Sequence, residues 1–263
     1  MRMAMKALGI AALALALSTG QALAASCGNT GAGFEAWKAS FAPKAKAAGI
    51  GSRGLSALAG TRYATGTIRA DRNQHSFKLS LGQFMAKRGA SSIVSAGRAH
   101  KRANAALFSR IEAKYGVPAG PLIAIWGMET GFGRFTGGQN TVSAIATLAY
   151  DCRRSAFFTD QLMAALKLVD RGVISSGTRG AMHGEIGQTQ FMPKNVLLYG
   201  GGGNLASKES ALTSTARFLV GHGWRRGAGY QPGQANFGAI QGWNAASVYQ
   251  QAIAIMGRQI DGE

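Results

Sequence analysis

Acidic side chains are scarce enough in this sequence to be weighed one at a time: 11 Asp and Glu stand against 29 Lys and Arg. Two of them sit where an acid could do chemistry. Glu129 follows the apolar run Leu122-Ile123-Ala124-Ile125-Trp126-Gly127-Met128 and precedes Gly131-Phe132-Gly133. A carboxyl emerging from the end of a buried helix is desolvated, which disfavours its charged form and raises its pKa. A carboxyl that keeps its proton near neutral pH is what a general acid requires. The structural alternative is a buried Glu129 paired with Arg134, since ion pairs perturb pKa as well. Glu185 lies in Gly184-Glu185-Ile186-Gly187-Gln188-Thr189-Gln190-Phe191-Met192-Pro193. Here two glutamines supply donors and acceptors for sugar hydroxyls and Phe191 could wall a groove; the alternative is a polar turn before a helix.

The other acids read as structural. Asp71, Asp151, Asp160, Asp170 and Glu112 have charged or polar neighbours and are expected to be solvated. Glu35 and Glu209 open helices, where a negative charge suits the dipole, and Asp261 and Glu263 lie at the C-terminal end. Two cysteines and four scattered histidines make no zinc pattern, and no cofactor or metal is expected.

Helices must position these residues. Phe34, Trp37 and Phe41 recur at helical spacing, in a helix ending between Pro43 and Gly49. Residues 97–115 read as one helix with Ala103, Ala106, Leu107 and Ile111 on a stripe and Gly116 as its stop. Pro118 to Met128 is apolar all round and is expected to be wholly buried. Ser155 is the expected N-cap of a helix carrying Phe158, Leu162, Leu166 and Val169 up to Gly172. Ser207 to Val220 forms another, and Asn244 is expected to cap a last helix through Ile255. Strand signals are weak, so the fold class is all-α with at most a small β-hairpin. Residues 25–263 read as a single domain, in which 30–96 is a packed helical lobe on a core of 97–263.

The first 24 residues read as a secretory signal peptide. Arg2 and Lys6 give a basic start, Leu8 to Leu17 an apolar run too short to span a membrane, and Ala22-Leu23-Ala24 a cleavage site. Its removal lowers the net charge from +18 to +16, still enough to attract polyanions. An exported chain without a nucleic-acid motif points to an acidic cell-wall polymer rather than nucleic acid. Export also fits one disulfide between Cys27 and Cys152. Acylation of Cys27 is the weaker reading, because Ala24-Ala25-Ser26 has no large aliphatic three positions upstream.

The sequence resembles the B-type lytic murein transglycosylases. The resemblance rests on Tyr115-Gly116-Val117-Pro118, on Ile125-Trp126-Gly127-Met128-Glu129-Thr130-Gly131-Phe132-Gly133-Arg134 and on Ala146-Thr147-Leu148-Ala149-Tyr150-Asp151-Cys152-Arg153-Arg154. It continues through Gly187-Gln188-Thr189-Gln190-Phe191-Met192-Pro193, His222-Gly223-Trp224, and Trp243-Asn244 with Tyr249 five residues on. The matches run in family order from about residue 34 to the end. They imply a lysozyme-like α fold in a monomeric periplasmic enzyme that cleaves peptidoglycan glycan strands between N-acetylmuramic acid and N-acetylglucosamine. The family's single catalytic glutamate falls on Glu129 and its substrate-contacting glutamine on Gln190. Its Asn and Tyr of the last helix fall on Asn244 and Tyr249, its paired arginines on Arg153 and Arg154, and two of its groove aromatics on Phe157 and Phe218.

Three departures stand out. The family's Gly-Ser-aromatic-Ala-Gly-Ala-Met-Gly is here Gly180-Ala181-Met182-His183-Gly184-Glu185-Ile186-Gly187, so the serine is Ala181. Glu185 replaces a small residue and is a possible second acid. The acidic, calcium-binding-like loop that the family often carries after Phe-Met-Pro is here Tyr199-Gly200-Gly201-Gly202-Gly203-Asn204, without a carboxylate. The rivals to transglycosylation are a hydrolytic muramidase that uses Glu185 and a non-catalytic wall-binding protein.

Overall fold

The computed structural model describes residues 27–73 and 79–262; the leader read over 1–24 lies outside them. Its organising element is the helix Ala119–Thr130, in which every residue but Glu129 is buried. Prolines at 118 and 121 cost it nothing, because the first-turn N–H groups have no partner within the helix. It ends at Gly131, whose left-handed φ of 56° closes the last turn.

In chain order the α-helices among the described residues are α1 (Phe34–Ala47), α2 (Ser52–Ala59), α3 (Thr65–Arg72), α4 (Leu81–Arg88), α5 (Ala90–Ala103), α6 (Ala105–Tyr115), α7 (Ala119–Thr130) and α8 (Thr141–Tyr150). They continue with α9 (Ser155–Asp170), α10 (Pro193–Tyr199), α11 (Lys208–Gly221), α12 (Phe237–Trp243) and α13 (Ser247–Asp261). Antiparallel to α7 runs α13. Gly120 and Gly257 let the two backbones touch, since a Cβ on Gly120 would overlap the Gly257 carbonyl oxygen. From that crossing, nine residues along α7 and eight back along α13 cover similar lengths at ~1.5 Å per residue. Tyr249 thereby arrives beside Glu129. The crossing is fastened at its other end by Asp261, which accepts the Gly120 N–H at 2.8 Å, Lys101 Nζ at 3.1 Å and the Tyr230 hydroxyl at 2.9 Å.

A second stack is built on α8, all of whose residues are buried, packed along α9 and covered by α1 and α2. Phe34, Trp37 and Phe41 stack in series on the inner face of α1. Asp170, expected to be solvated, closes α9 onto α2: its carboxylate accepts the Gly51 and Gly54 N–H groups at 2.6 and 2.7 Å. Cys27 and Cys152 form a disulfide with a Cα separation of 4.8 Å. It links residues 125 apart, for which the chain-entropy model gives about 4–5 kcal/mol.

Four local expectations are corrected. Residues 97–115 are not one helix: Asn104 donates its side-chain amide to the His100 carbonyl at 2.8 Å, ending α5 before α6 begins. Ser155 is the first residue of α9 rather than its cap, because its hydroxyl donates to the Ala149 carbonyl at 2.6 Å. Asn244 lies two residues ahead of the α13 N-cap, Ala246, and accepts its N–H at 2.9 Å; the helix runs on to Asp261. The two short strands are not a hairpin. Gln139–Asn140 (β1) pairs antiparallel with Arg179–Gly180 (β2) across a long connection that includes α8 and α9.

Candidate active site

The end of α7, the 185–195 segment, α11 and the turn after α12 converge on a cavity of about 190 Å³. It is lined by Glu129, Glu185, Gln190, Phe191, Met192, Asn195, Phe218, Trp243 and Asn244. Six residues singled out from the sequence therefore meet here: Glu129, Glu185, Gln190, Phe191, Phe218 and Asn244.

Glu129 has no ion-pair partner in Arg134, whose Nε donates to the Gly131 carbonyl instead. Two neutral donors converge on Glu129 Oε1, the Tyr249 hydroxyl at 2.6 Å and the Trp243 indole N–H at 3.0 Å. Burial raises the Glu129 pKa. The bonds from Tyr249 and Trp243 and the charge of Arg88 oppose it, the charge of Glu185 adds to it, and the balance is above the ordinary carboxylate value. Tyr249 is buried rather than part of the cavity wall, and its own pKa is pushed well up by burial and by Glu129, so it stays a donor. The sequence reading missed Trp243 as a partner of the acid, although it precedes Asn244 in the quoted motif. It also missed Arg88, whose guanidinium carbon lies 5.7 Å from the centre of the Tyr249 ring.

The glutamine segment is strapped to α7. Thr130 donates to the Gln188 carbonyl at 2.6 Å, and Trp126 donates to Gln188 Oε1 at 2.9 Å. Gln188 Nε2 is bound to the Ala206 carbonyl, so of the two glutamines only Gln190 lines the cavity. Gln190 is held in the left-handed region at φ 53°, and its amide nitrogen donates to the Gly187 and Thr136 carbonyls at 2.8 and 3.3 Å. Both amide hydrogens are thus used, which leaves the oxygen as the group it offers. Phe218 is buried edge-on beneath Trp243 and Phe191, with ring centres 5.0 and 6.0 Å away.

Arg153, Arg154 and Phe157 lie outside this cavity. Both arginines pair with Asp71, whose side chain is 3% exposed, and Asp151 is equally buried against Arg72 at 3.1 Å. Asp71 and Asp151 are therefore not solvated, as their polar neighbours suggested: each pairs with the arginines that stand beside the other. Phe157 is 52% exposed, edge-on to Phe158.

The loop after α10 does not suit a divalent cation. Calcium takes six or more oxygen ligands, several of them charged. Tyr199 to Asn204 has no carboxylate, and a Cβ on Gly201 would overlap the Arg217 guanidinium, whose Nη1 reaches the Tyr199 carbonyl at 3.5 Å. Among the described residues no three His, Cys, Asp or Glu side chains group to hold a metal ion.

The transglycosylase SLT domain family matches residues 33–234. Membrane-bound lytic murein transglycosylase B of Escherichia coli is 33% identical over 121 residues, which are 43% of this chain and 34% of that protein; the aligned part thus spans about a third of that relative. SltB3 from Pseudomonas aeruginosa, solved with NAG-NAM-pentapeptide and with NAG-anhNAM-pentapeptide, superposes with TM-scores of 0.80 and 0.79 at 27% and 26% identity. These superpositions cover 88% and 87% of this chain and 80% of SltB3. The E. coli lytic transglycosylase Slt35 in complex with calcium shares the fold, with a TM-score of 0.73 at 21% identity over 85% of this chain and 92% of that one. No described helix is long and apolar enough to cross a membrane. With the family matched over most of the chain and three of the motifs meeting at the Glu129 cavity, the chain belongs to the SLT-domain transglycosylases, and among them to the B-type lytic murein transglycosylases.

Proposed function

We propose that this chain cleaves the glycan strands of peptidoglycan without water, with Glu129 acting first as acid and then as base. The observation that carries this reading is a carboxyl desolvated at the exit of a buried apolar helix, its pKa raised, with two neutral donors on one oxygen. Because Oε1 accepts both donors, the acid's proton resides on Oε2. Glu129 gives it to the oxygen linking N-acetylmuramic acid to N-acetylglucosamine. The C1–O bond breaks, its electron pair stays with the leaving sugar, and positive charge develops at the muramic acid C1. The Glu129 carboxylate, stabilised by Tyr249 and Trp243, then takes the proton of the same sugar's C6 hydroxyl as that oxygen attacks C1. The product is a 1,6-anhydro ring and the acid is regenerated. One carboxyl suffices because the nucleophile belongs to the substrate, unlike the usual glycosidase pair, and intramolecular attack gains effective concentration.

Gln190 and Asn244 line the cavity where sugar hydroxyls and acetamido groups are to be held, while Phe218 supports its wall. Arg153, Arg154 and Phe157, outside the cavity, are assigned to more distant parts of the strand. The SltB3 complexes with muropeptides support this substrate class. Residues 25–263 act as one catalytic domain, a monomer exported to the periplasm, where its positive charge favours an acidic wall. The place of Glu185 in the same cavity favours one competing reading, a hydrolytic muramidase. Digestion of purified sacculi with mass analysis of the products tests both: anhydro muropeptides, lighter by one water, support transglycosylation, and reducing ends support hydrolysis.

A further inference from the structure

The second acid of the cavity is held by a device of its own. Gly180 and Gly184 let the 180–187 segment fold back on itself: a Cβ on Gly180 would overlap the Glu185 carbonyl oxygen, and Gly184 has φ 93°. The Glu185 carbonyl accepts the Ala181 N–H at 3.0 Å, and the Gly184 N–H donates to the Ala181 carbonyl at 3.1 Å. Within that fold Glu185 Oε2 accepts the His183 main-chain N–H at 3.1 Å, and Oε1 lies 3.4 Å from His183 Nδ1. The far ring nitrogen of His183 is 3.9 Å from Asp71, the carboxylate that also holds Arg153 and Arg154.

We propose that Glu185 is a second working carboxylate of this site, steered into the cavity by His183, which stabilises the positive charge that develops on the muramic acid ring. The inference rests on the transglycosylase reading and adds a role that this reading does not need. It follows from two carboxyl groups, on separate segments, lining one cavity of about 190 Å³. The groups facing Glu185 are His183 from its own loop, Glu129 from α7 and Arg154 ahead of α9; Asp71 of α3 stands behind His183, and Arg88 of α4 faces Glu129. Burial pushes the Glu185 carboxyl up, but the side-chain bond from His183, the main-chain N–H of Glu185 itself, and the charge and main-chain N–H of His183 together outweigh it, and Glu185 lies below the ordinary carboxylate value. Glu129 lies above it. The two carboxyls are thus driven in opposite directions, the arrangement that lets them take different roles at one bond. A fixed anion beside the ring stabilises the transition state more than the neutral ground state, so its effect falls on kcat. No atom is transferred to or from Glu185.

The test compares wild type, Glu185→Gln and His183→Ala on soluble glycan strands, reading kcat and KM across about pH 4 to 9 and the mass of the products. Glu185→Gln is expected to lower kcat roughly tenfold with KM nearly unchanged. It is also expected to move the alkaline limb of the profile to lower pH, because Glu129 loses the like charge that raises its pKa. His183→Ala is expected to move the acid limb to higher pH, since Glu185 loses a donor that keeps it ionised. A Glu185→Gln profile superimposable on wild type overturns the assignment, as does a KM effect without a kcat effect. Should Glu185→Gln fail to fold, an unmoved acid limb in His183→Ala overturns it instead. Reducing ends from wild type, lost together with Glu185, make Glu185 the base of a hydrolase and overturn the inference and the transglycosylase reading together. Anhydro products from wild type with an inert Glu185→Gln substitution overturn the inference alone.

Discussion

Glu129 and Glu185 share one cavity and one side-chain chemistry, yet their surroundings drive their protons in opposite directions. Glu129 is delivered by a rigid crossing: α7 is apolar on all sides, α13 lies against it through Gly120 and Gly257, and the donors that reach the acid are an uncharged phenol and an indole. Burial prevails over two neutral hydrogen bonds, and the carboxyl is held above its ordinary value. Glu185 is delivered by a glycine-punctuated loop and meets an imidazole and a main-chain N–H within its own tripeptide, so here the donors prevail over burial. Depth alone does not make a general acid; what matters is whether the donors around a buried carboxyl fall short of replacing its lost water.

The largest expected effect comes from breaking the Glu129 side of this comparison. Glu129→Gln keeps an oxygen that accepts both Tyr249 and Trp243 but removes the titratable proton. Turnover of sacculi, followed by released muropeptides, is expected to fall by about 10²–10⁴-fold. The fold is expected to gain. A carboxyl with a raised folded pKa favours folding while protonated and loses that contribution as pH rises through the folded value. Above that window the wild type carries the full cost of a desolvated charge, so Glu129→Gln should melt higher than wild type at alkaline pH and no higher below the ordinary carboxylate range. Equal melting temperatures at every pH would contradict the raised pKa.

Tyr249→Phe sharpens the same side. Loss of the 2.6 Å bond leaves the carboxylate with Trp243 and the field of Arg88. A hydrogen bond to a charged group contributes about 1.5–3 kcal/mol, and the base step depends on that charged form, so kcat is expected to drop roughly ten- to a hundredfold. The alkaline limb should move to higher pH, because a donor that lowers the Glu129 pKa is gone. This shift is opposite to that expected of Glu185→Gln, and the pair separates donors from charges in the cavity.

The rigid half of the site was legible in the sequence, and the loop half was legible only in part. An unbroken apolar run ending in glutamate and glycine specifies a buried helix with an acid at its exit, and α7 carries it. What one-dimensional reading cannot supply is which polar residues meet across the fold. Asp71 and Asp151 look solvated among polar neighbours because their burial depends on Arg72, Arg153 and Arg154 crossing between segments. Gln188 and Gln190 are alike on paper, but only the contacts with Trp126 and Ala206 show that Gln188 serves the scaffold. Asp261 reads as a tail residue, yet it locks the start of α7. Trp243 stood in a quoted motif without a role, because an indole's donor has meaning only once its acceptor is known.

A smaller effect is expected at the crossing that keeps the two acids different. Gly120→Ala places a methyl group against the Gly257 carbonyl and has to separate α7 from α13. Overpacking of this kind costs typically 1–3 kcal/mol, which for a chain of this size lowers the melting temperature by a few degrees or more. Below that temperature the folded enzyme should lose activity several-fold, with the alkaline limb displaced toward that of Tyr249→Phe, because the strain lies on the path that brings the phenol to Glu129. Lost stability with an unmoved pH profile would show that the crossing supports the fold without setting the acid.

The smallest expected effect is that of removing divalent cations, and it bears on whether the opposed carboxyls set the proton balance unaided. A bound cation near the cavity would be among its largest charges and would alter both pKa values. The loop after α10 offers main-chain carbonyls but no carboxylate, and Arg217 already brings a fixed positive charge to it: Nη1 reaches the Tyr199 carbonyl while Nε donates to the Tyr115 hydroxyl at 3.1 Å. A guanidinium cannot be chelated away, and it repels a second cation at the same carbonyls. Excess chelator is therefore expected to leave muropeptide release, both limbs of the pH profile and the melting temperature where they were, and added calcium to change none of them. A tenfold loss of activity in chelator, restored by calcium, would mean that a third charge takes part and that the contrast between Glu129 and Glu185 is not the whole electrostatic basis of the site.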